Sequence, residues 1–251
     1  MADPLNPTPR THQHGDFARE ETRLAHRNHG VLLELLRHDL TPVGAHYLLT
    51  HFDVPWVPDA ADWRLDIGGL VERPGSVSLA ELQSRPYAEE IVTLECAGNG
   101  RALIEPRWQS QPWHDEAVGT AAWGGTLLAP LLEERGLGDG VVDVVFEGAD
   151  RGIDGGVEHA FARSLTLDQI RESGVLLAWS MNGHPLLPEH GFPLRVIVPG
   201  WFGMASMAYP LNALRCQWMA SGMTPRSPRP WGGLPGVPGT GTGRQPRART
   251  S

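Results

Sequence analysis

Lysine is missing from this chain. All 21 basic residues among the 251 are arginine, so no lysine can form a Schiff base, clamp a phosphate or act as a general base. Cysteine is nearly as scarce: Cys96 and Cys216 stand 120 positions apart. That excludes a secreted cystine scaffold, a CxxC or CxxCH pair and a four-cysteine zinc site. No apolar run reaches the roughly 18 residues of a membrane-spanning helix, so no membrane span is expected. The N-terminus has neither an apolar signal core nor an adjacent arginine pair, which predicts a cytoplasmic protein. HExxH, GxSxG and P-loop patterns are absent, and Gly98-Asn99-Gly100 lacks the third glycine of a dinucleotide fingerprint. Acidic residues stop at Glu189. Residues 1–189 hold 29 acids and 14 arginines, residues 190–251 seven arginines and no acid, for a net charge of -8. An acidic excess over most of the chain argues against nucleic acid as a partner.

What is present is an irregular mixture of short strands and short helices. Residues 16–38 read as a helix ending in Val31-Leu32-Leu33-Glu34-Leu35-Leu36, broken by Thr41-Pro42. Strands are expected at Trp63–Ile67, Glu90–Glu95, Val141–Glu147, Val175–Ser180 and Leu194–Val198. Helices are expected at Leu79–Ser84, Thr126–Arg135 and Leu167–Glu172. Such a mixture predicts an α+β fold rather than a regular βαβ wind. Residues 222–251 hold seven glycines, six prolines and five arginines, a composition with nothing to bury, and read as a disordered tail.

Three places can carry chemistry. Cys96 follows a predicted strand and precedes Ala97-Gly98-Asn99-Gly100. A tight turn there presents a thiolate as a soft-metal ligand or nucleophile; the alternative is a buried, inert cysteine. His190 and Arg195 flank Gly191-Phe192-Pro193-Leu194 and form two cationic-capable groups for a phosphate, or an arginine paired with a surface acid. Asp150 leaves a strand after Phe146-Glu147-Gly148-Ala149, either to accept from a heterocycle or to cap a turn. His51 and the other histidines show no metal-ligand spacing, and Cys216 has no comparable setting.

Together these motifs resemble the sulfite oxidase family. Thr93-Leu94-Glu95-Cys96-Ala97-Gly98-Asn99-Gly100-Arg101 is similar to its molybdenum-ligand motif. Trp179 through Leu186 and His190 through Gly200 are similar to its second signature. Thr41-Pro42 to His51-Phe52, Trp63–Leu65, Gly119–Gly125 and Phe146–Asp150 follow in the same collinear order. The resemblance implies a mixed, β-rich molybdopterin-binding domain over residues 38–205. It implies molybdenum carried by one pyranopterin dithiolene, with Cys96 as metal ligand and catalytic residue; no haem is expected, because no CxxCH occurs. It implies cofactor contacts from Tyr47, Leu48, Leu49, Thr50, His51, Asp150, His190, Arg195, Ser206, Met207 and Ala208. The reaction implied is two-electron oxygen-atom transfer to or from a small oxyanion or sulfoxide, with a separate electron acceptor or donor.

The departures narrow that expectation. The family's Arg-Asn-His triplet reads Leu49-Thr50-His51, so the arginine that attracts a dianion is gone. Its later lysine is absent as well. The resemblance ends near residue 205, with no recognisable dimerisation domain. This predicts an N-terminal arm and helix over 1–37 and a divergent, disordered tail over 206–251, the mark of a truncated or frame-shifted segment. Besides sulfite oxidation, two readings stand: a sulfoxide-type reductase with the same cofactor, and a non-enzymatic remnant or binding module that loads none.

Overall fold

The computed structural model describes residues 21, 24–106, 110–154, 156–207 and 210–217. Ten strands and three short α-helices run through them: β1 Arg64–Gly69, β2 Gly75–Ser78, α1 Leu79–Gln83, β3 Ala88–Glu95, β4 Val118–Leu127, α2 Leu128–Arg135, β5 Asp143–Asp154, β6 Val157–Thr166, α3 Leu167–Ser173, β7 Leu176–Met181, β8 His184–Pro185, β9 Arg195–Ile197 and β10 Leu211–Gln217. The first sheet is ordered β2-β1-β10-β5-β6, the second β3-β4-β7-β8 with β9 also on β7. Only β1 and β10 pair in parallel in the first sheet. This is the α+β, β-rich architecture expected.

Period-two burial builds the core between these layers. Leu65 and Ile67 of β1, Phe146 of β5 and Leu214 of β10 point into one apolar cluster with α1, α2 and α3. Val92, Leu94, Ala121 and Trp123 of β3 and β4 build a second. Strands β7 and β9 feed both: Leu177 and Val196 face the first cluster, Leu176, Ala178 and Ile197 the second. A strand buried on both faces reads as a continuous apolar run, which Val175-Leu176-Leu177-Ala178 is. The helices are locally specified. Ser78 and Glu81 form a reciprocal capping box on α1, as do Thr166 and Gln169 on α3, and Gly174 ends α3 in a left-handed conformation.

Four expectations need correcting. Residues 16–38 are not one helix: after residue 25 the chain turns out, His29 bridges Leu48, and Leu33–Arg37 is a separate 3-10 segment. Val31 is buried, but Leu32, Leu33 and Leu36 stay exposed, so most of the apolar run that suggested a helix faces outward. The helix expected from Thr126 begins at Leu128, because Thr126 and Leu127 complete β4. Strand β6 was not anticipated at all. The ordered fold also runs past residue 205. Leu211, Ala213, Leu214 and Cys216 are buried while Asn212 and Arg215 are exposed, and β10 lies between β1 and β5 in the middle of its sheet. The pattern was there, but its alternation breaks once, at the adjacent buried residues Ala213 and Leu214, just after a bulge between Leu211 and Ala213. The 1–20 arm and the 218–251 stretch lie outside the described residues.

Candidate functional site

Strand β3 delivers Cys96 to the end of the second sheet. A net of hydrogen bonds fixes the turn that follows. Cys96 N–H donates to the Ala117 carbonyl at 2.9 Å and Asn99 N–H to the Cys96 carbonyl at 2.9 Å. The Asn99 amide donates to Glu95 at 3.2 Å, and its oxygen accepts from Ala117 N–H at 3.0 Å. Gly98 N–H points at the Cys96 sulfur, 3.3 Å away. A Cβ at Gly98 would come within 2.7 Å of the Arg101 guanidinium, so glycine there lets arginine close over the turn. Arg101 itself donates to Ser110 Oγ at 2.6 Å. Burial pushes the Cys96 thiol up from its ordinary pKa, while Gly98 N–H, the Arg101 charge and the Trp113 indole N–H pull it back. That is a sulfur kept protonated by its surroundings but ringed by groups that favour the thiolate, which a soft metal would deprotonate outright.

Behind the thiol lies a nest of aromatic and cationic-capable groups. Tyr47 is buried in the Cys96 cluster and its ring stacks on His46, centroids 5.0 Å apart. The Tyr47 hydroxyl sits where a side chain on Gly203 would be, and Gly203 N–H donates to the Glu95 carbonyl at 2.7 Å. Arg195, fully enclosed, lies 4.6 Å over the Trp123 ring. It donates to the carbonyls of His190 at 3.1 Å and Ser206 at 2.8 Å. His46 packs edge-on to both Trp123 and His190. Burial, reinforced by Arg195, lowers His46 and His190 to about 4, and burial lowers Arg195 to about 10. The His190–Arg195 pair therefore presents one positive charge near neutral pH rather than two. His190 instead places Nε2 3.1 Å from the Val43 carbonyl.

Asp150 stands on the first sheet. It is 1% exposed, neither oxygen accepts from another residue, and burial raises it to about 7, with Arg163 partly offsetting. Two groups the sequence did not single out lie on the same pair of strands: Arg163, whose charge acts on Asp150 and whose guanidinium lies 4.1 Å from the Phe161 ring, and His159, opposite Gly152 and against Phe52. The His51 ring tilts onto Phe52 and Phe161 at 4.4 and 5.2 Å. The segment after β9 joins the two regions. Ser206 accepts from Val198 N–H at 2.9 Å, and Met207 reaches toward Gly148 beside Asp150.

The remaining expected contacts divide. Leu49 packs against the Cys96 cluster. Leu48 exchanges backbone hydrogen bonds with His29, and Thr50 donates to Asn28 through both N–H (2.7 Å) and hydroxyl (3.1 Å); both tie the segment to the chain beneath it. Ala208 lies outside the described residues. His46 was missed. Its only signal was a histidine directly before Tyr47 in an apolar stretch, which spacing alone does not distinguish from a core residue.

The profile of the oxidoreductase molybdopterin-binding domain matches residues 51–216. The chain belongs to this family. The match includes β10, so the likeness does not stop at residue 205. The chain is 41% identical over 172 residues to the barley NAD(P)H nitrate reductase, covering 65% of this chain and 19% of that one. It is 34% identical over 183 residues to the sulfite oxidase of Arabidopsis thaliana, covering 68% of this chain and 46% of that one. The sulfane dehydrogenase SoxCD of Paracoccus pantotrophus has the same fold: TM-score 0.63 at 24% identity, over 84% of this chain and 55% of that one. The chain thus spans about a fifth of the nitrate reductase and under half of the sulfite oxidase. It is a molybdopterin-binding oxidoreductase domain.

The residues fit that cofactor. A buried carboxylate without partners suits the N–H groups of a pterin edge. Unpartnered buried nitrogens remain on His46, Trp123 and Arg195. Among the described residues no three His, Cys, Asp or Glu side chains gather as a metal site. A metal here would accordingly draw on a single protein thiolate and on ligands brought with it.

Proposed function

We propose that Cys96 is the protein ligand of a molybdenum centre carried by one pyranopterin dithiolene, and that the domain catalyses two-electron oxygen-atom transfer on a small oxyanion or sulfoxide. The Cys96 turn carries this reading: an enclosed sulfur at a strand end, met by a backbone N–H and flanked by a guanidinium. When bound, the cofactor supplies the two-electron redox couple and the oxygen-atom exchange.

The chain's own residues bind, orient and exclude water. Cys96 offers a soft ligand on a turn its hydrogen bonds hold rigid. Asp150 accepts from the pterin edge, which ends its isolation in the core. Tyr47, His51 and Met207 wall the cofactor, while Arg195 and His190 hold its far side from the nest around Trp123. Among the described residues Arg101 is the cation whose charge acts on the thiol, and it would orient a negatively polarised oxygen.

Leu49 favours one substrate class within this chemistry. It packs on the Cys96 cluster where the family's arginine would supply a second cation. One guanidinium suits a sulfoxide or a singly charged oxide better than a sulfite dianion. Electrons would be exchanged with a carrier outside this domain.

The test is molybdenum content by mass spectrometry, on protein made together with the pterin pathway, beside Cys96→Ser. Near one metal per chain, falling more than tenfold in the variant, is expected. Absence of metal in both overturns the reading and leaves a fold that loads no cofactor. Sulfite oxidation measured against sulfoxide reduction on the loaded protein then separates the substrates.

A further inference from the structure

Strand β3 is an outer strand of the second sheet, paired with β4. Residues opposite each other in an antiparallel pair alternate between exchanging both backbone hydrogen bonds and exchanging none. Thr120, opposite Thr93, turns its N–H and C=O to Thr41, and Ala122, opposite Ile91, turns both to Asn182. Thr93 and Ile91 therefore exchange no backbone bonds with β4 and direct theirs to the open side. Glu89 and Glu95 share that phase. The Glu95 carbonyl accepts from Gly203 N–H at 2.7 Å, which closes the edge at that end. Among the described residues nothing takes the backbone groups of Glu89, Ile91 and Thr93. All three side chains are exposed, Ile91 to 68%. An open row of backbone donors and acceptors is a template for another strand, and an exposed isoleucine in its middle gains by being covered.

The open window runs from Glu89 to Thr93 and is centred on Ile91. A second copy running antiparallel can set Ile91 against Ile91 on a two-fold axis, the self-complementary contact of a symmetric dimer. Glu89 then faces Thr93 of the second copy, Thr93 faces its Glu89, and Glu90 faces its Val92. Three pairs exchange backbone bonds and no acid faces an acid. The other registers lose one or both of these features, and like charges directly opposite are destabilising. An axis at Glu89 or Glu90 sets that acid against its own copy. An axis at Val92 sets Glu89 against Glu95. An axis at Thr93 sets Ile91 against Glu95, whose carbonyl is already taken.

We propose that two copies of this chain associate through β3, antiparallel about a two-fold axis at Ile91, so that their second sheets run on as one. The acids at 89 and 90 select the register. Cys96 lies five residues from the axis, which puts the two thiols at opposite ends of the junction, about 34 Å apart along the strands.

Sedimentation velocity of the full chain beside Ile91→Lys is the first test. The parent should sediment at twice the 27.4 kDa of one chain and dissociate on dilution. Ile91→Lys sets two ammonium groups face to face from an exposed position and should weaken association at least tenfold. Disulfide trapping then reads the register. Bonded pairs have Cα atoms about 5.5 Å apart, within reach of a disulfide, whereas Glu89 and its own copy would stand about 14 Å apart. With diamide as oxidant, Ile91→Cys should cross-link at least tenfold faster than Glu89→Cys or Thr93→Cys alone. An equal mixture of the latter two should cross-link at a rate close to that of Ile91→Cys. The parent, whose Cys96 and Cys216 are both buried, is the blank. A parent that stays monomeric up to its solubility limit overturns the proposal. So does association that survives Ile91→Lys, or equal trapping at the three positions.

Discussion

The two halves of the candidate site handle buried charge in opposite ways. On the second sheet, positive charge is held to a minimum: His46 and His190 are driven to about 4 and stay neutral, and Arg195 turns its guanidinium to two carbonyls and a tryptophan face. On the first sheet a single carboxyl, Asp150, is buried with no hydrogen-bonding neighbour and only the Arg163 charge nearby. The first region settles its charge with its own groups, although His46 Nε2, Trp123 Nε1 and Arg195 Nε have no partner there. The second is a defect in an isolated domain, since a buried polar group without partners costs about 1–3 kcal/mol. A defect of that kind persists where another molecule satisfies it.

The largest effect belongs to the sulfur. Cys96→Ser should lower bound molybdenum more than tenfold while far-ultraviolet circular dichroism and melting temperature stay near the parent's, because the turn is held by Asn99, Glu95 and Ala117 rather than by the thiol. A variant that retained metal would move the centre to some other residue and dissolve the contrast between the halves.

The next effects set the halves against each other through pH, in cofactor-free protein. The folded pKa of Asp150, about 7, lies above the ordinary 3.8. The folded chain therefore holds this proton more tightly than the unfolded one. Its contribution is full below about pH 4 and is lost as pH rises through 7, with a ceiling of about 4 kcal/mol. Asp150→Asn should remove that decline, read as denaturant midpoints across the range. His46 runs the other way. Its folded pKa of about 4 lies below the ordinary 6.5, so stability is full above 6.5 and is lost as pH falls toward 4, with a ceiling of about 3 kcal/mol. His46→Phe should lessen the acid-side loss, His190 keeping its own share, and leave the neutral side unchanged. If both variants flatten the same limb, the two regions do not differ as described.

These contrasts also mark what could be read from the sequence. Strand β3 and the turn after it were legible, because Glu-Ile-Val-Thr-Leu-Glu is β-branched and a small-residue turn follows. The Cys96 environment therefore stood out before any fold was known. Strand β4 was not: Gly119-Thr-Ala-Ala-Trp-Gly-Gly has little strand propensity. It is a strand because the close approach of β3 and β7 leaves room only for small side chains beside Trp123. The nest was hidden for a similar reason. His46, Trp123 and Arg195 lie far apart in sequence and share no motif. Residues 206–217 were misjudged because the alternation of β10 breaks at Ala213 and Leu214, and because a likeness that fades in sequence need not fade in fold.

The smallest effect tests whether the halves are joined. The Ser206 hydroxyl accepts from Val198 N–H, its carbonyl accepts from Arg195, and the next residue, Met207, packs toward Gly148 beside Asp150. Ser206→Ala removes only the first of these bonds and leaves a buried N–H unpaired, a loss of about 1–2 kcal/mol. If the segment is a rigid strut, that loss should be additive with His46→Phe on one side and with Asp150→Asn on the other only when the strut stays in place. Coupling above about 0.5 kcal/mol in either double-mutant cycle would show the strut shifting. Coupling to His46→Phe alone would tie Ser206 to the arginine nest. Coupling to both would make residues 203–207 the element through which the metal end and the pterin end are held at a fixed spacing.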